Sequence, residues 1–128
     1  MPGPALTAVQ ELYEHARRGE HSKMRPLIAD DATWHPAKDG AWNPCRNADQ
    51  IVKTLLWRAQ MNRMRPTETI ELGDRVVIQL RGTRLGRLGG RGFFARLFQI
   101  VVVRDGKVVS MQDYPDREHA FAAAGLHA

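Results

Sequence analysis

The sequence contains one cysteine, Cys45, so no disulfide can close within the chain. Long apolar runs are missing too. The longest stretches, around Leu97–Val103 and Val108–Val109, are strand-sized and far short of the roughly 18 residues that a membrane span needs. Met1-Pro2-Gly3-Pro4 has neither the basic region nor the apolar core of a secretion signal. A lone thiol without those features leads us to expect a cytoplasmic protein with a reduced cysteine and no membrane partner. His15, His21, His35, His119 and His127 show no metal-ligand spacing, and no zinc motif is present, so neither metal nor cofactor is expected.

Charge is not scarce, but it is mixed. The 19 Lys and Arg exceed the 14 Asp and Glu, for a net charge of +5, and the two signs are interleaved along the chain. That is the pattern of a solvated surface, and nucleic acid is not expected as a partner. The Arg- and Gly-rich stretch Arg81–Arg91 could cradle an anion, but it lacks a phosphate-loop pattern; it reads as a hairpin connector that can act as a lid.

The length allows one domain spanning residues 1–128, with residues 1–4 flexible. Thr7-Ala8-Val9-Gln10 reads as a capping box that opens a helix, with Val9, Leu12, Tyr13 and Ala16 on one apolar face and Gly19 as its stop. Ser22 is expected to cap a short second helix carrying Met24, Leu27 and Ile28. Asp30–His35 reads as a turn into a short strand ended by Pro36, and residues 36–46 as a loop. Asn47-Ala48-Asp49-Gln50 opens a third helix with Ile51, Val52, Leu55, Leu56 and Ala59 on its apolar face. The period then changes to two. Thr67–Leu72 and Arg75–Arg81 are strands joined at Gly73-Asp74, and Phe93–Arg104 and Lys107–Tyr114 form a hairpin across Asp105-Gly106. A tail helix is expected over Arg117–Ala124. Segregated helices and hairpin strands imply an α+β fold in which an antiparallel sheet buries one face on the helices.

Leu27-Ile28-Ala29-Asp30-Asp31-Ala32-Thr33-Trp34 resembles the segment where the second helix runs into the first strand of nuclear transport factor 2-like proteins. That superfamily includes ketosteroid isomerases and SnoaL-like polyketide cyclases. Residues 102–116, Val-Val-Arg-Asp-Gly-Lys-Val-Val-Ser-Met-Gln-Asp-Tyr-Pro-Asp, resemble its closing hairpin, and the element order matches over nearly the whole chain. The resemblance implies a cone-shaped fold, a curved sheet wrapped around about three helices, and a pocket for a small apolar molecule. It also implies frequent homodimers through the outer face of the sheet. It is specific for the fold and not for the reaction.

Strand alternation combined with the resemblance places Val109, Met111 and Asp113 on the pocket face, opposite Leu97, Gln99, Val101 and Val103. Asp113, a carboxylate on an apolar face, is the first candidate for acid–base work. Limonene-epoxide-hydrolase-like enzymes carry an aspartate at the matching point, together with an Arg-x-Asp pair in the preceding strand. Leu97-Phe98-Gln99 stands at that pair, so the orienting positive charge is absent from the strand. His35, just before Pro36, sits near the proton-shuttling aspartate of the isomerases and is expected to pair with Asp113. By the same resemblance Tyr13 and Gln99 are expected polar supports that donate to a ligand carbonyl. Trp34, Trp42, Trp57, Met61, Met64, Leu97, Val101, Val109 and Met111 are candidate pocket walls. Cys45 lies beside Arg46, whose charge would lower the thiol pKa, yet nothing in the sequence marks a nucleophile. The function expected is proton transfer (isomerisation, cyclisation or dehydration) on an apolar cyclic, polyketide-like or steroid-like ligand. The alternatives are a non-catalytic ligand-binding or dimerisation module and, below that, anion binding by the loop at residues 81–91.

Overall fold

The computed structural model describes residues 2–90 and 96–127. Helix α1 (Pro4–Arg17) is followed by α2 (His21–Met24), a 3₁₀ turn (Arg25–Leu27) and strand β1 (Ile28–His35). After a loop come α3 (Ala48–Met61), β2 (Arg65–Leu72), β3 (Arg75–Arg81), a second 3₁₀ turn (Leu85–Leu88), β4 (Leu97–Arg104), β5 (Lys107–Tyr114) and α4 (Arg117–Ala124). The five strands form one sheet in the order β1-β5-β4-β3-β2, with β1 parallel to β5 and the other neighbours antiparallel. This is the expected α+β architecture, a mixed sheet with α1 and α3 against one face. Val76, Ile78 and Leu80 of β3 and Leu97, Val101 and Val103 of β4 join Val9, Leu12, Ile51 and Leu55 of the helices in the main core.

The opposite face is not bare. Val77, Phe98 and Ile100 are covered by Ala120, Phe121 and Ala124 of α4. Arg117 holds this helix down: it pairs with Glu68 at 2.8 Å and lies over the Phe98 and Phe121 rings. Any pairing of two copies through this face is therefore confined to the part that α4 leaves open.

Several local expectations change. Residues Gly3 and Pro4 are fixed rather than loose, and α1 begins three residues before the Thr7 box. Pro4 takes the first helical position, and the Glu71 carboxylate from the end of β2 accepts from Gly3 N at 2.7 Å and Leu6 N at 2.9 Å. The helix is capped by tertiary contact and not by its own side chains. Ile28 leaves the second helix for β1, because the 3₁₀ turn at Pro26 ends it. The α3 cap is as read: Asn47 Oδ1 accepts from Gln50 N at 2.9 Å. The Asp105-Gly106 turn also holds, with φ of 53° and 74° at the two residues, the left-handed pair that a tight hairpin needs. Residues 82–90 are no loose connector. Leu85 is fully buried, and Asn62 exchanges hydrogen bonds with Thr83. The anion-loop reading extends to Arg91, and the expected start of β4 at Phe93 likewise lies outside the described residues.

Replacing Glu71 by Ala should destabilise the fold by about 1–2 kcal/mol, because two helix-end N–H groups lose their acceptor. Thr7→Ala, at an exposed mid-helix position, should change stability by less than about 0.5 kcal/mol. Urea unfolding of the two variants distinguishes the tertiary cap from the local one.

Candidate functional site

Asp113 lies on β5 facing the core, with 1% of its surface exposed. A carboxylate there must take its hydrogen bonds from protein. Oδ1 receives two: from Trp34 Nε1 at 2.8 Å and from Gln99 Nε2 at 2.8 Å. Gln99 is paired with Asp113 in the β4–β5 register, and its own Oε1 accepts from the Tyr13 hydroxyl of α1 at 2.8 Å. A chain of hydrogen bonds thus runs from helix through strand to carboxylate.

The sequence reading missed Arg58. It comes from the last turns of α3, is 4% exposed, and places Nη1 3.9 Å from Asp113 Oδ2, an ion pair without a direct hydrogen bond. Its guanidinium stacks against two indoles, 4.6 Å from the Trp34 ring centre and 4.1 Å from that of Trp42. The two rings meet edge to face at 5.3 Å. A signal was available: Ile51, Leu55, Arg58 and Ala59 are all buried on one side of α3, so the arginine sits at a core position of the helical repeat. A positive charge absent from Leu97-Phe98-Gln99 is thus brought near Asp113 by the helix.

Trp42 is brought in by the loop after β1. Cys45 pairs backbone to backbone with Trp34, at 3.0 and 2.9 Å, which folds residues 36–46 back over the strand end. Cys45 itself is buried, with its thiol 3.4 Å from Thr54 Oγ1. Burial pushes the thiol pKa up, against the expectation from Arg46.

Other expectations are corrected by the same geometry. His35 does not meet Asp113. It is the exposed residue next to Trp34, and alternation along β1 turns it away, beside Gln112 in register. Tyr13 and Gln99 are present as polar supports, but their hydrogen bonds are directed to holding Asp113. Leu97, Val101 and Met111 do face its side of the sheet, as wholly covered core. Val109 does not. The register slips between Val102/Ser110 and Val103/Val108, so Val109 is the extra residue of a β-bulge and Val108 takes the inward place. Trp57 and Met61 lie on the outer side of α3, 63% and 60% exposed, and wall no pocket around Asp113.

Burial raises the Asp113 pKa from its ordinary 3.8 to about 6, against the lowering effects of the Gln99 and Trp34 hydrogen bonds and of Arg58. Burial also pulls the Arg58 guanidinium down and the Tyr13 phenol well up from their ordinary values. Tyr13 is therefore a neutral donor. A groove of about 560 Å³ between α1 and β2 reaches the Tyr13 ring and is lined by Gln10, Glu14, Arg65, Thr67 and Glu68.

The sequence model of the SnoaL-like domain matches residues 9–111, most of the chain. The chain belongs to the SnoaL-like domain family. Solved structures agree with that membership at the level of fold. An NTF2-like protein of unknown function from Mesorhizobium loti superposes with a TM-score of 0.71 at 17% identity, over 91% of this SnoaL-like chain and 98% of that one. An LEH-like epoxide hydrolase from M. tuberculosis gives 0.61 at 18% identity, over 88% and 83%. TerC, co-crystallised with polyporic acid, gives 0.60 at 27% identity, over 94% and 97%. No curated protein sequence matches this member of the family. No helix among the described residues is long and apolar enough to cross a membrane.

Two predictions follow from the geometry. The folded-state pKa of Asp113 lies above its ordinary value, so the native state holds the proton more tightly than the unfolded chain. The stability contributed by this group is therefore greatest below about pH 4 and falls as pH rises to about 6, by about 3 kcal/mol in total. Asp113→Asn should abolish that slope in urea titrations run at several pH values. The Cys45 thiol should react slowly with a thiol-directed chromogenic disulfide in the folded protein and freely once urea has unfolded it; fast reaction in the folded state would contradict its burial.

Proposed function

We propose that the chain is a small-molecule enzyme of the SnoaL-like type. It would move a proton on an apolar cyclic, polyketide-like or steroid-like ligand, in an isomerisation, cyclisation or dehydration, with Asp113 taking the proton and returning it. The observation that carries this reading is the state of the carboxylate. Oδ1 is fixed by two hydrogen bonds, while Oδ2 is buried and makes none among the described residues. A base needs one oxygen held still and one left open. A carboxyl that titrates at about 6 is mostly ionised near neutrality, yet acidic enough in its protonated form to give the proton back.

The supporting residues have separate tasks. Gln99 and Trp34 orient the carboxylate, Tyr13 fixes the Gln99 amide, and Arg58 keeps a positive charge close to the changing one. Trp42 is the only member of this cluster of Trp34, Trp42, Arg58 and Asp113 that is not fully buried, so a ligand would approach from its side, with Leu97, Val101 and Met111 as the apolar surroundings of the carboxylate. TerC, a structural relative, was co-crystallised with polyporic acid, which is consistent with a small-molecule pocket here.

A second reading, a binder without turnover, is favoured by one observation: Trp34, Trp42 and Arg58 are packed against one another beside the carboxylate. A binder of this kind could pair with a second copy through the outer sheet residues that α4 leaves partly exposed, such as Val102, Ser110 and Gln112.

Native mass spectrometry against steroids, terpenoids, polyketide-like ketones and polyporic acid would fix the ligand class. Turnover of a retained ketone should rise with pH through about 6 and fall at least about 100-fold in Asp113→Asn, with binding largely kept. His35→Ala should leave the rate within about twofold, since its side chain is on the other face. Stoichiometric binding with no turnover would replace the first reading by the second.

A further inference from the structure

We propose that the cavity at the C-terminal ends of α1 and α3 is a seat for a phosphate group carried on a small apolar molecule. The cavity holds about 410 Å³ and is lined by Arg17, Ala59, Arg63, Met64 and Arg65. Three of these residues are arginines and none is acidic. None belongs to the cluster around Asp113, so the inference is independent of the proton-transfer reading.

The usual task of an arginine at a helix end is to bind the last carbonyls. Here that task is already taken. At the end of α1, Gln60 Nε2 donates to Ala16 O at 3.0 Å and to Arg17 O at 2.6 Å. At the end of α3, Asn62 N and Met64 N donate to Arg58 O at 2.9 and 3.2 Å. The arginine side chains are surplus to capping. Among the described residues Arg63 makes no side-chain hydrogen bond or ion pair, and Arg65 makes one hydrogen bond, from Nη1 to the Arg63 carbonyl at 3.2 Å. Arg17 holds Glu14 through Nε and Nη2 and has Nη1 to spare.

Two features carry a cost that a bound anion would offset. Arg65 stands opposite Arg81 in the β2–β3 register, a like-charge cross-strand pair. Arg63 has φ of 51°, the left-handed position after a helix that suits glycine, yet a long cationic side chain stands there. Its turn is held firmly. Asn62 O accepts from Thr83 N at 2.6 Å, and Asn62 Nδ2 donates to Thr83 O at 3.0 Å. A Cβ on Gly82 would lie 2.5 Å from Asn62 O, so the connector packs directly against this turn. Arg63 is thus delivered to the cavity from a fixed backbone.

The lining selects the ligand. Guanidinium forks match the oxygens of a phosphate, and several around one cavity favour a dianion over a single carboxylate. Ala59 and Met64, 9% and 2% exposed, add an apolar floor. A bare ion leaves that floor unused, and an apolar alcohol leaves the arginines unused. A phosphate monoester with an apolar body uses both. The cavity shares Arg17 and Arg65 with the groove between α1 and β2, which gives the body room to extend.

The test is isothermal titration of the full chain with phenyl phosphate, inorganic phosphate and phenol. Phenyl phosphate should bind at submillimolar concentration, about fivefold or more tighter than inorganic phosphate, and phenol should not register. Arg63→Gly removes the guanidinium and suits the left-handed turn, so it should fold as well as wild type and bind phenyl phosphate about tenfold more weakly. Arg65→Gln should weaken binding similarly. Arg104→Gln removes the same charge at the β4–β5 turn and should keep the affinity within about twofold, which separates a site from net charge. Equal binding of phenyl phosphate and phenol, an unchanged affinity in Arg63→Gly, or an equal loss in Arg104→Gln overturns the proposal. So does a short single-stranded oligonucleotide that displaces phenyl phosphate at a lower concentration than phenyl phosphate itself needs, because the occupant would then be nucleic acid.

Discussion

A carboxylate cut off from water has to be stabilised by whatever the fold places around it, and that requirement organises this molecule. Asp113 draws a residue from each principal layer. Trp34 comes from the parallel edge strand, Gln99 from the antiparallel neighbour, Tyr13 from the first helix and Arg58 from the third. Each of these is itself buried, so none can shift without disturbing the core it belongs to. The ionised side chain and the apolar packing therefore fix one another. Among the described residues the side-chain hydrogen bonds aim at Oδ1, so one oxygen is anchored and the other is not.

The cluster also explains features that lie apart in the chain. The bulge at Val109 changes the phase of β5, so that Val108 joins the core below Met111 and Asp113. The bridge between Cys45 and Trp34 ties down the loop that delivers Trp42. The stacked indoles screen a guanidinium that sits next to, but not on, its carboxylate. A pair separated by 3.9 Å in a protein interior is strongly coupled electrostatically, yet it lacks the hydrogen bond that would close it.

Much of this architecture is legible in the sequence, because it rests on local signals. The Asn47 cap, the Asp105-Gly106 turn and the α4 boundaries depend on residues close in the chain, and they read correctly. The assignment of Asp113 to the interior also held, since a carboxylate among alternating apolar residues has a definite phase. What misled the reading was long-range. Alternation fixes faces only until a bulge intervenes, and one extra residue turned Val109 outward. On β1 the choice between Trp34 and His35 is a shift of one position, and nothing local decides it. Glu71 caps a helix 65 residues away and leaves no mark near that helix. Arg58 went unnoticed, although its spacing on α3 is that of a core residue.

The edge-to-face contact of Trp34 and Trp42, 5.3 Å apart with planes at 77°, has an optical consequence. Indole transitions at that separation couple as excitons, so the two rings should give a split circular dichroism signal that depends on their mutual angle. The cation lying against both rings adds a fixed field that displaces their emission. Trp57, out in solvent, supplies an emission that senses none of this. The protein thus carries its own spectroscopic gauge, with two chromophores at the carboxylate and an independent reference on the surface.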